Sequence, residues 1–182
     1  LIANAYDADA TEVRIETDAP RFSKIVIRDN GRGLSEDALV HVICHIGGSL
    51  KRTNEGKKYH VVNAADANLS PGGRKLIGKL GIGLFSVSQL THHLIIVTKV
   101  KGESHRRVCD ILLMPQREEA QDQQLEDEGF VTGKAQLSTV PAEDIDSQGT
   151  EITLLEIRPF VRESLQSVAR WAAIEEENRL NA

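Results

Sequence analysis

The sequence predicts an α+β fold, a two-layer sandwich in which helices cover one face of a mixed, mostly antiparallel sheet. Helical and strand-like segments do not alternate regularly along the chain, which argues against a doubly wound parallel sheet. Two strand-like segments near the N-terminus are separated only by a short turn, which predicts a β-hairpin. With 182 residues, 40% of them hydrophobic, the chain is long enough to bury a core without disulfides or metals.

The hairpin follows a predicted N-terminal helix. Residues 1–10 are rich in alanine and place their larger apolar residues near one helical face. Val13–Thr17 alternates apolar and polar side chains, as a half-buried strand does. Lys24–Arg28 is the expected partner strand.

A capped helix and a long irregular segment come next. Ser35 is a candidate N-cap, because acidic residues follow it in the first turn, and the helix is expected to run to about Ile46. Residues 47–77 contain many glycines and polar residues without a clear period. Such a segment inside a domain is usually functional or disordered, so we expect a mobile lid.

The second half of the chain contributes further strands and a last helix. A glycine-rich turn is expected to enter a helix over residues 78–90. The other predicted elements are strands at Leu94–Thr98, Arg107–Leu113 and Glu151–Leu155, and a helix with Pro159 in its first turn.

We therefore expect one domain over residues 1–158, with the lid at 47–77 and an acidic surface loop at 115–130. Residues 159–182 are expected to form a C-terminal helix that leads to a further domain. Both ends resemble helix interiors, so we expect the sequence to be a fragment of a larger protein.

Composition restricts the location and the partners. The net charge of −5 gives no general attraction to nucleic acid or anionic membranes, so contact with nucleic acid would require further domains. No apolar run approaches the ~18 residues of a membrane span. Cys44 and Cys109 lie far apart in sequence and are expected to be reduced thiols of a cytoplasmic protein.

Four short motifs carry the functional prediction. They are Asn4 with Asp7 and Ala8 one turn later, the loop Asp29–Gly33, the turn Gly78–Gly83, and Gly149–Thr150 ahead of the last strand. A glycine-rich turn at a helix N-terminus offers backbone N–H groups and a positive dipole end to phosphates. The phosphate-loop motif GxxxxGK[ST] is absent, and the acidic residue expected of a dinucleotide-binding unit is missing from the strand after the turn.

In order and spacing, these motifs resemble the GHKL (Bergerat-fold) ATPase superfamily, and most closely its ninety-kilodalton heat-shock chaperone branch. The resemblance implies binding of Mg²⁺ with ATP or ADP and a nucleotide-driven conformational or dimerisation switch. It assigns Asp29 to the adenine amine, Thr150 to support of that carboxylate, and Asn4 to the metal. The nucleotide-binding residues that it implies are Asn4, Asp7, Ala8, Asp29, Gly31, Gly33, Leu34, Lys51, Gly78, Lys79, Leu80, Gly81, Ile82, Gly83 and Thr150.

The resemblance also implies a catalytic glutamate four residues before Asn4, which would directly precede Leu1. We therefore expect this chain to bind nucleotide better than it hydrolyses it. Gly31 and Gly33 are expected to leave room for the base to lie against the backbone. Homodimerisation is expected through the lid or through segments outside the sequence.

Alternative interpretations remain open at this point. His41 and His45 stand four apart on a predicted helix, as two metal ligands would, but no third ligand is apparent. Within the superfamily, a histidine-kinase-type domain, a mismatch-repair or type II topoisomerase ATPase and a non-hydrolysing nucleotide-binding module remain alternatives.

Overall fold

Six strands form one sheet in the computed structural model, which describes residues 1–44, 54–78, 86–114 and 133–181. The strands are β1 (Val13–Thr17), β2 (Ile25–Asp29), β3 (His93–Lys99), β4 (His105–Leu113), β5 (Gly133–Pro141) and β6 (Gly149–Leu155). Their order is β1-β2-β6-β3-β4-β5, and every pairing is antiparallel. The predicted mostly antiparallel α+β sandwich is confirmed.

The helices are α1 (Ile2–Asp7), α2 (Glu36–Cys44), α3 (Asn54–Lys58), α4 (Pro159–Gln166) and α5 (Val168–Leu180), with a short 3₁₀ turn at Val87–Gln89. Ser35 caps α2 as predicted, because its hydroxyl accepts from the amide of Ala38 at 3.3 Å. Pro159 begins α4 as predicted.

Two helix predictions were wrong in their extent. The first helix ends at Asp7 rather than at residue 10, because Asp9 takes the left-handed conformation with φ 63°. The single C-terminal helix is two helices, because Ser167 is extended and its hydroxyl accepts from the amide of Arg170, which starts α5.

One strand had no counterpart in the sequence interpretation. β5 is the edge partner of β4, and nearly all of its side chains are exposed. A strand that buries neither face carries little of the apolar alternation by which strands are recognised, which explains the omission.

One face of the sheet forms the core. On β3, Leu94 and Ile96 are buried, whereas their neighbours point to the other face and are only partly buried. The core cluster joins this face to α2 and to the segment after β6; its residues are Ile27, Leu39, Val87, Leu94, Ile96, Cys109, Ile111, Leu154 and Ile157. The opposite face is more polar and includes Arg28, which pairs with Glu16 and Glu151.

Candidate functional site

A row of four polar side chains continues the core face at one end of the sheet. Asp29 on β2 stands opposite Thr150 on β6, Thr150 opposite Thr98 on β3, and Thr98 opposite Arg107 on β4. Residues directly opposite in antiparallel pairs share a face, so the four line up beside the apolar row of Ile27. The apolar core therefore ends in a line of hydrogen-bonding groups.

Asp29 has its carboxylate in a partly buried position. Oδ1 accepts from the amide of Gly31 at 2.9 Å. Burial raises the pKa of Asp29, and the backbone amides of Gly31 and Thr150 act against that rise by stabilising the charged form. A partly desolvated carboxylate with acceptor capacity is well suited to read an amino group.

Thr98 is the centre of the row, and the sequence interpretation did not include it. Its hydroxyl lies 3.1 Å from that of Thr150, accepts from the amide of Leu34 at 2.8 Å, and donates to the carbonyl of Gly149 at 3.3 Å. It thus ties the loop after β2 to both neighbouring strands. Only the pairing of β3 with β6 reveals this role, because the two threonines are far apart in sequence.

The glycines of the loop are packed against the protein itself. A Cβ on Gly31 would lie 2.9 Å from the carbonyl oxygen of Ala8, and one on Gly33 would lie 2.1 Å from that of Lys99. Gly33 also has φ 70°. Protein atoms therefore fill the side-chain direction of both glycines, and the room for a base beside this backbone stays a prediction.

Arg107 holds the far end of the same loop. Arg107 is 5% exposed. Its guanidinium pairs through both terminal nitrogens with Glu103 on the β3–β4 turn and donates to the carbonyl of Leu34 at 3.4 Å. Hydrogen bonding to Glu103 raises the pKa of Arg107 despite burial, and the same bond lowers the pKa of Glu103. Leu34 itself packs against the core, between Thr98 and Arg107.

Helix α1 connects this loop with the approach to the glycine turn. The carbonyl of Ala8 accepts from the amide of Arg32 at 3.0 Å. The buried carboxylate of Asp7 accepts from the amides of Ile77 and Gly78, both at 2.9 Å. Asp7 therefore fixes the backbone that leads into residues 78–83, and Asn4 lies exposed one turn before Ala8.

Asp9 was assigned no function from the sequence, yet its carboxylate is held by hydrogen bonds as that of Asp7 is. Its carboxylate accepts from Ser70 Oγ, from the amide of Gly72 and from Arg32 Nε. Burial raises the pKa of Asp9, but these donors outweigh it and hold the pKa below the usual range. The two acidic residues after Asn4 are thus both engaged in hydrogen bonds to the segment 70–78.

A family model described as histidine kinase-, DNA gyrase B-, and HSP90-like ATPase matches residues 1–131, more than half of the chain. The chain belongs to this ATPase family. The loop after β2 and the approach to the glycine turn, both in contact with α1, are accordingly parts of an ATP-binding domain.

The relatives of this ATPase domain include a chaperone protein and a DNA mismatch repair protein. The segment is 28% identical over 102 residues to the chaperone protein HtpG of Streptomyces coelicolor, and 33% identical over 98 residues to HtpG of Rhodococcus jostii. It is 31% identical over 104 residues to the DNA mismatch repair protein MutL of Streptococcus thermophilus. The matches cover 56%, 54% and 57% of this chain, but only 15%, 14% and 14% of the relatives.

The predicted residues of the ATPase site are described in part. The structure brings Ala8 to the loop of Asp29, Gly31, Gly33 and Leu34, and Asp7 to Gly78. Lys51 and the five predicted residues Lys79, Leu80, Gly81, Ile82 and Gly83 lie outside the described residues. Gly81 is among them, so the predicted convergence of Asn4, Asp29 and Gly81 stays a prediction.

The histidine-metal alternative gains no support where it is described. Among residues 1–44, 54–78, 86–114 and 133–181, no group of three His, Cys, Asp or Glu side chains is placed to hold a metal ion. His41 lies against the ring of Tyr59, with 5.6 Å between the ring centroids, and His45 is outside the described residues.

Within the described ranges, no helix has the length and apolar character needed to cross a lipid bilayer.

Proposed function

We propose that this domain binds Mg-ATP with adenine at Asp29 and phosphates at the turn Gly78–Gly83, and acts as a nucleotide-driven switch. The observation that carries the proposal is the partly buried Asp29 carboxylate, oriented by backbone amides at the polar end of the core. An ionised carboxylate accepts a hydrogen bond from the exocyclic amine of adenine but has no donor to offer a carbonyl at that position. This chemistry favours adenine over guanine.

The phosphate end is proposed to begin at Gly78. Asp7 fixes the backbone amides of Ile77 and Gly78, so the chain enters residues 79–83 from a held position. Lys79 and Lys51 would supply positive charge to the triphosphate. Backbone amides at such a turn suit phosphate oxygens.

Magnesium is proposed to bind with the nucleotide. Asn4 offers a neutral amide oxygen from the exposed side of α1, which suits a hard cation that keeps several waters and takes phosphate oxygens. One such ligand does not form a protein cage, so the fit is to a metal delivered by the triphosphate. The ion would neutralise phosphate charge, while Asn4 would orient it relative to α1.

The experiment that tests the proposal is calorimetric titration of ATP, ADP and GTP into the protein and into Asp29→Asn. The substitution removes the charge and replaces one of the two carboxylate oxygens by an NH2 group. If the remaining oxygen accepts from Gly31, the NH2 group faces the adenine amine, and two donors meet. ATP affinity should fall by about 1–3 kcal/mol. Asp110→Asn is the matched control, because Asp110 lies on the opposite face of the sheet.

Equal affinity of wild type and Asp29→Asn for ATP would remove Asp29 from this role. Equal affinity of the wild type for ATP and GTP would remove the adenine assignment as a whole.

The switch is proposed as nucleotide-dependent self-association. Support comes from membership of the ATPase family, since a domain that binds ATP between moving segments can couple nucleotide state to assembly. Sedimentation velocity with and without a non-hydrolysable ATP analogue tests it. A rise in sedimentation coefficient only with the analogue is expected, and identical profiles would contradict the switch.

A further inference from the structure

Asp9 is the centre of a hydrogen-bonded cluster outside the proposed nucleotide contacts. Its Oδ1 accepts from the hydroxyl of Ser70, and its Oδ2 accepts from the amide of Gly72 and from Nε of Arg32, both at 2.7 Å. The side chain of Asp9 is 13% exposed, and Ser70 is fully buried. A carboxylate with three donors, one of them charged, is a strong local anchor.

The packing around Asp9 leaves little freedom for another arrangement. A Cβ on Gly72 would lie 2.6 Å from Asp9 Oδ1, so the backbone of the segment lies directly on the carboxylate. Ser70 Oγ also accepts from the amide of Arg74 at 2.9 Å, and Arg74 donates to the carbonyl of Ala10 at 2.6 Å. Asp9 has φ 63°, a conformation that Asp and Asn tolerate better than most residues.

The cluster joins two parts of the proposed nucleotide site. Arg32 belongs to the loop that carries Asp29, and its amide also donates to Ala8. Ser70 and Gly72 belong to the segment that continues to Gly78, where the phosphate turn begins. Asp9 therefore contacts the adenine side and the approach to the phosphate side from a single carboxylate.

We propose that Asp9 is a positioning residue for nucleotide binding, holding residues 70–78 against the end of α1 in fixed relation to the Asp29 loop. This inference rests on the proposed function, because it concerns the same nucleotide site. Asp9 does not touch the nucleotide. It holds the backbone that leads to residues 77 and 78, whose amides donate to Asp7.

The proposal changes the interpretation of the lid predicted over residues 47–77. Its last part, residues 70–77, is anchored by Asp9 and Asp7. Any movement of the predicted lid would then be confined to the residues on the N-terminal side of Ser70.

The test uses hydrogen exchange of the nucleotide-free protein, comparing wild type, Asp9→Asn and Asp66→Asn. The Asn variant keeps the shape and tolerates the positive φ at position 9, but it loses the charge and one acceptor. Exchange at Gly72, Ile77 and Gly78 should rise by ~10-fold in Asp9→Asn, as expected for the loss of charge-assisted hydrogen bonds. Asp66→Asn is an exposed change at a carboxylate that accepts from Asn68, and it should affect its own turn alone.

The second measurement is ATP affinity of the same proteins, with Ser70→Ala as a milder variant that removes one donor to Asp9. ATP affinity should fall by ~5- to 10-fold in Asp9→Asn and by less in Ser70→Ala, while Asp66→Asn binds as wild type does. The change at Ile77 and Gly78 is decisive, because those amides bond to Asp7 and a purely local role of Asp9 would not alter them.

Unchanged exchange at residues 72–78 in Asp9→Asn would overturn the anchor. Raised exchange with wild-type ATP affinity would overturn the positioning role. If the wild type binds no ATP, the proposed function fails, and the exchange measurement alone decides whether Asp9 anchors the segment.

Discussion

At the scale of single residues, the neighbours of each carboxylate in the site determine the direction in which its pKa is shifted. Asp29 and Asp9 are both partly buried aspartates in the same region. Burial prevails at Asp29 and raises its pKa, whereas three donors prevail at Asp9 and lower its pKa. The two carboxylates are thus adapted to different tasks, one to meet a ligand and the other to hold the chain.

The raised pKa of Asp29 predicts a pH dependence of binding. The ionised form accepts the adenine amine, and it is lost as pH falls through a pKa above the usual ~4 of aspartate. ATP affinity of the wild type should therefore decline on acidification earlier than that of an ordinary aspartate site. The measurement is the ratio of the ATP dissociation constants of wild type and Asp29→Asn across pH, in which titration of the nucleotide's phosphates cancels. A ratio that does not vary with pH would contradict ionisation of Asp29 as the source of affinity.

Gly33 offers a second test at this scale. Gly33→Ala would combine a strained φ of 70° with a Cβ 2.1 Å from the carbonyl oxygen of Lys99. Gly102→Ala is the control, since Gly102 has φ 88° and nothing within 4 Å of the added Cβ. Urea unfolding should show a loss of about 1 kcal/mol for Gly102→Ala and at least about 2 kcal/mol for Gly33→Ala. Equal losses would mean that the loop can move away from β3.

At the scale of elements, the loop after β2 is held by strands that are remote in sequence. The amide of Leu34 is taken by Thr98 on β3, and its carbonyl by Arg107 on β4. The loop thus crosses the end of the sheet and is fixed on the far side. Its shape depends on the pairing of β6 between β2 and β3.

Thr98→Val tests this arrangement. The substitution keeps the shape of the side chain but leaves the amide of Leu34 and the hydroxyl of Thr150 without their partner. Unfolding free energy should fall by about 1–3 kcal/mol, the cost of unpaired buried polar groups. Thr98→Ser, which keeps the hydroxyl, should recover most of the loss and most of the ATP affinity. A serine variant as impaired as the valine variant would show that the hydroxyl alone does not account for the role of Thr98.

Features that depend on a short stretch of sequence were predicted, whereas features that depend on strand pairing were not. β1 was predicted with the bounds that the structure gives, because its alternation is local. The motifs around Asp7, Asp29 and Thr150 were likewise visible in short stretches. Thr98 and Arg107 were missed, because their roles arise only when antiparallel registers align them with Asp29. Asp9 was missed because two of its partners, Ser70 and Gly72, lie about sixty residues away.

At the scale of the whole molecule, the C-terminal helices contribute little to the core. α4 and α5 contain no buried residue, although Val161 packs against the core cluster. α5 carries Trp171 partly exposed, with its indole N–H donating to the carbonyl of Leu165. Of the strands that the structure describes, β6 is the last in chain order.

Removal of residues 168–182 should therefore leave both stability and nucleotide binding nearly unchanged. Loss of an exposed helix is expected to alter the unfolding free energy by no more than about 0.5 kcal/mol. Circular dichroism in urea and ATP titration measure the two quantities. A large loss of stability would mean that α5 packs against the domain in solution.

The position of β6 in the sheet also bears on how the chain reaches its folded state during synthesis. Among the described strands β6 comes last in sequence, yet it stands between β2 and β3 and supplies the neighbour of Asp29. Until residues 149–155 have left the ribosome, β2 and β3 each expose an unpaired edge, and such edges invite aggregation. The N-terminal hairpin can join the rest of the sheet only after β6 is available, because β6 pairs with β2. Pairing between segments so far apart in sequence slows folding. While this domain is being translated, nascent chains are expected to need protection by chaperones until β6 has been made.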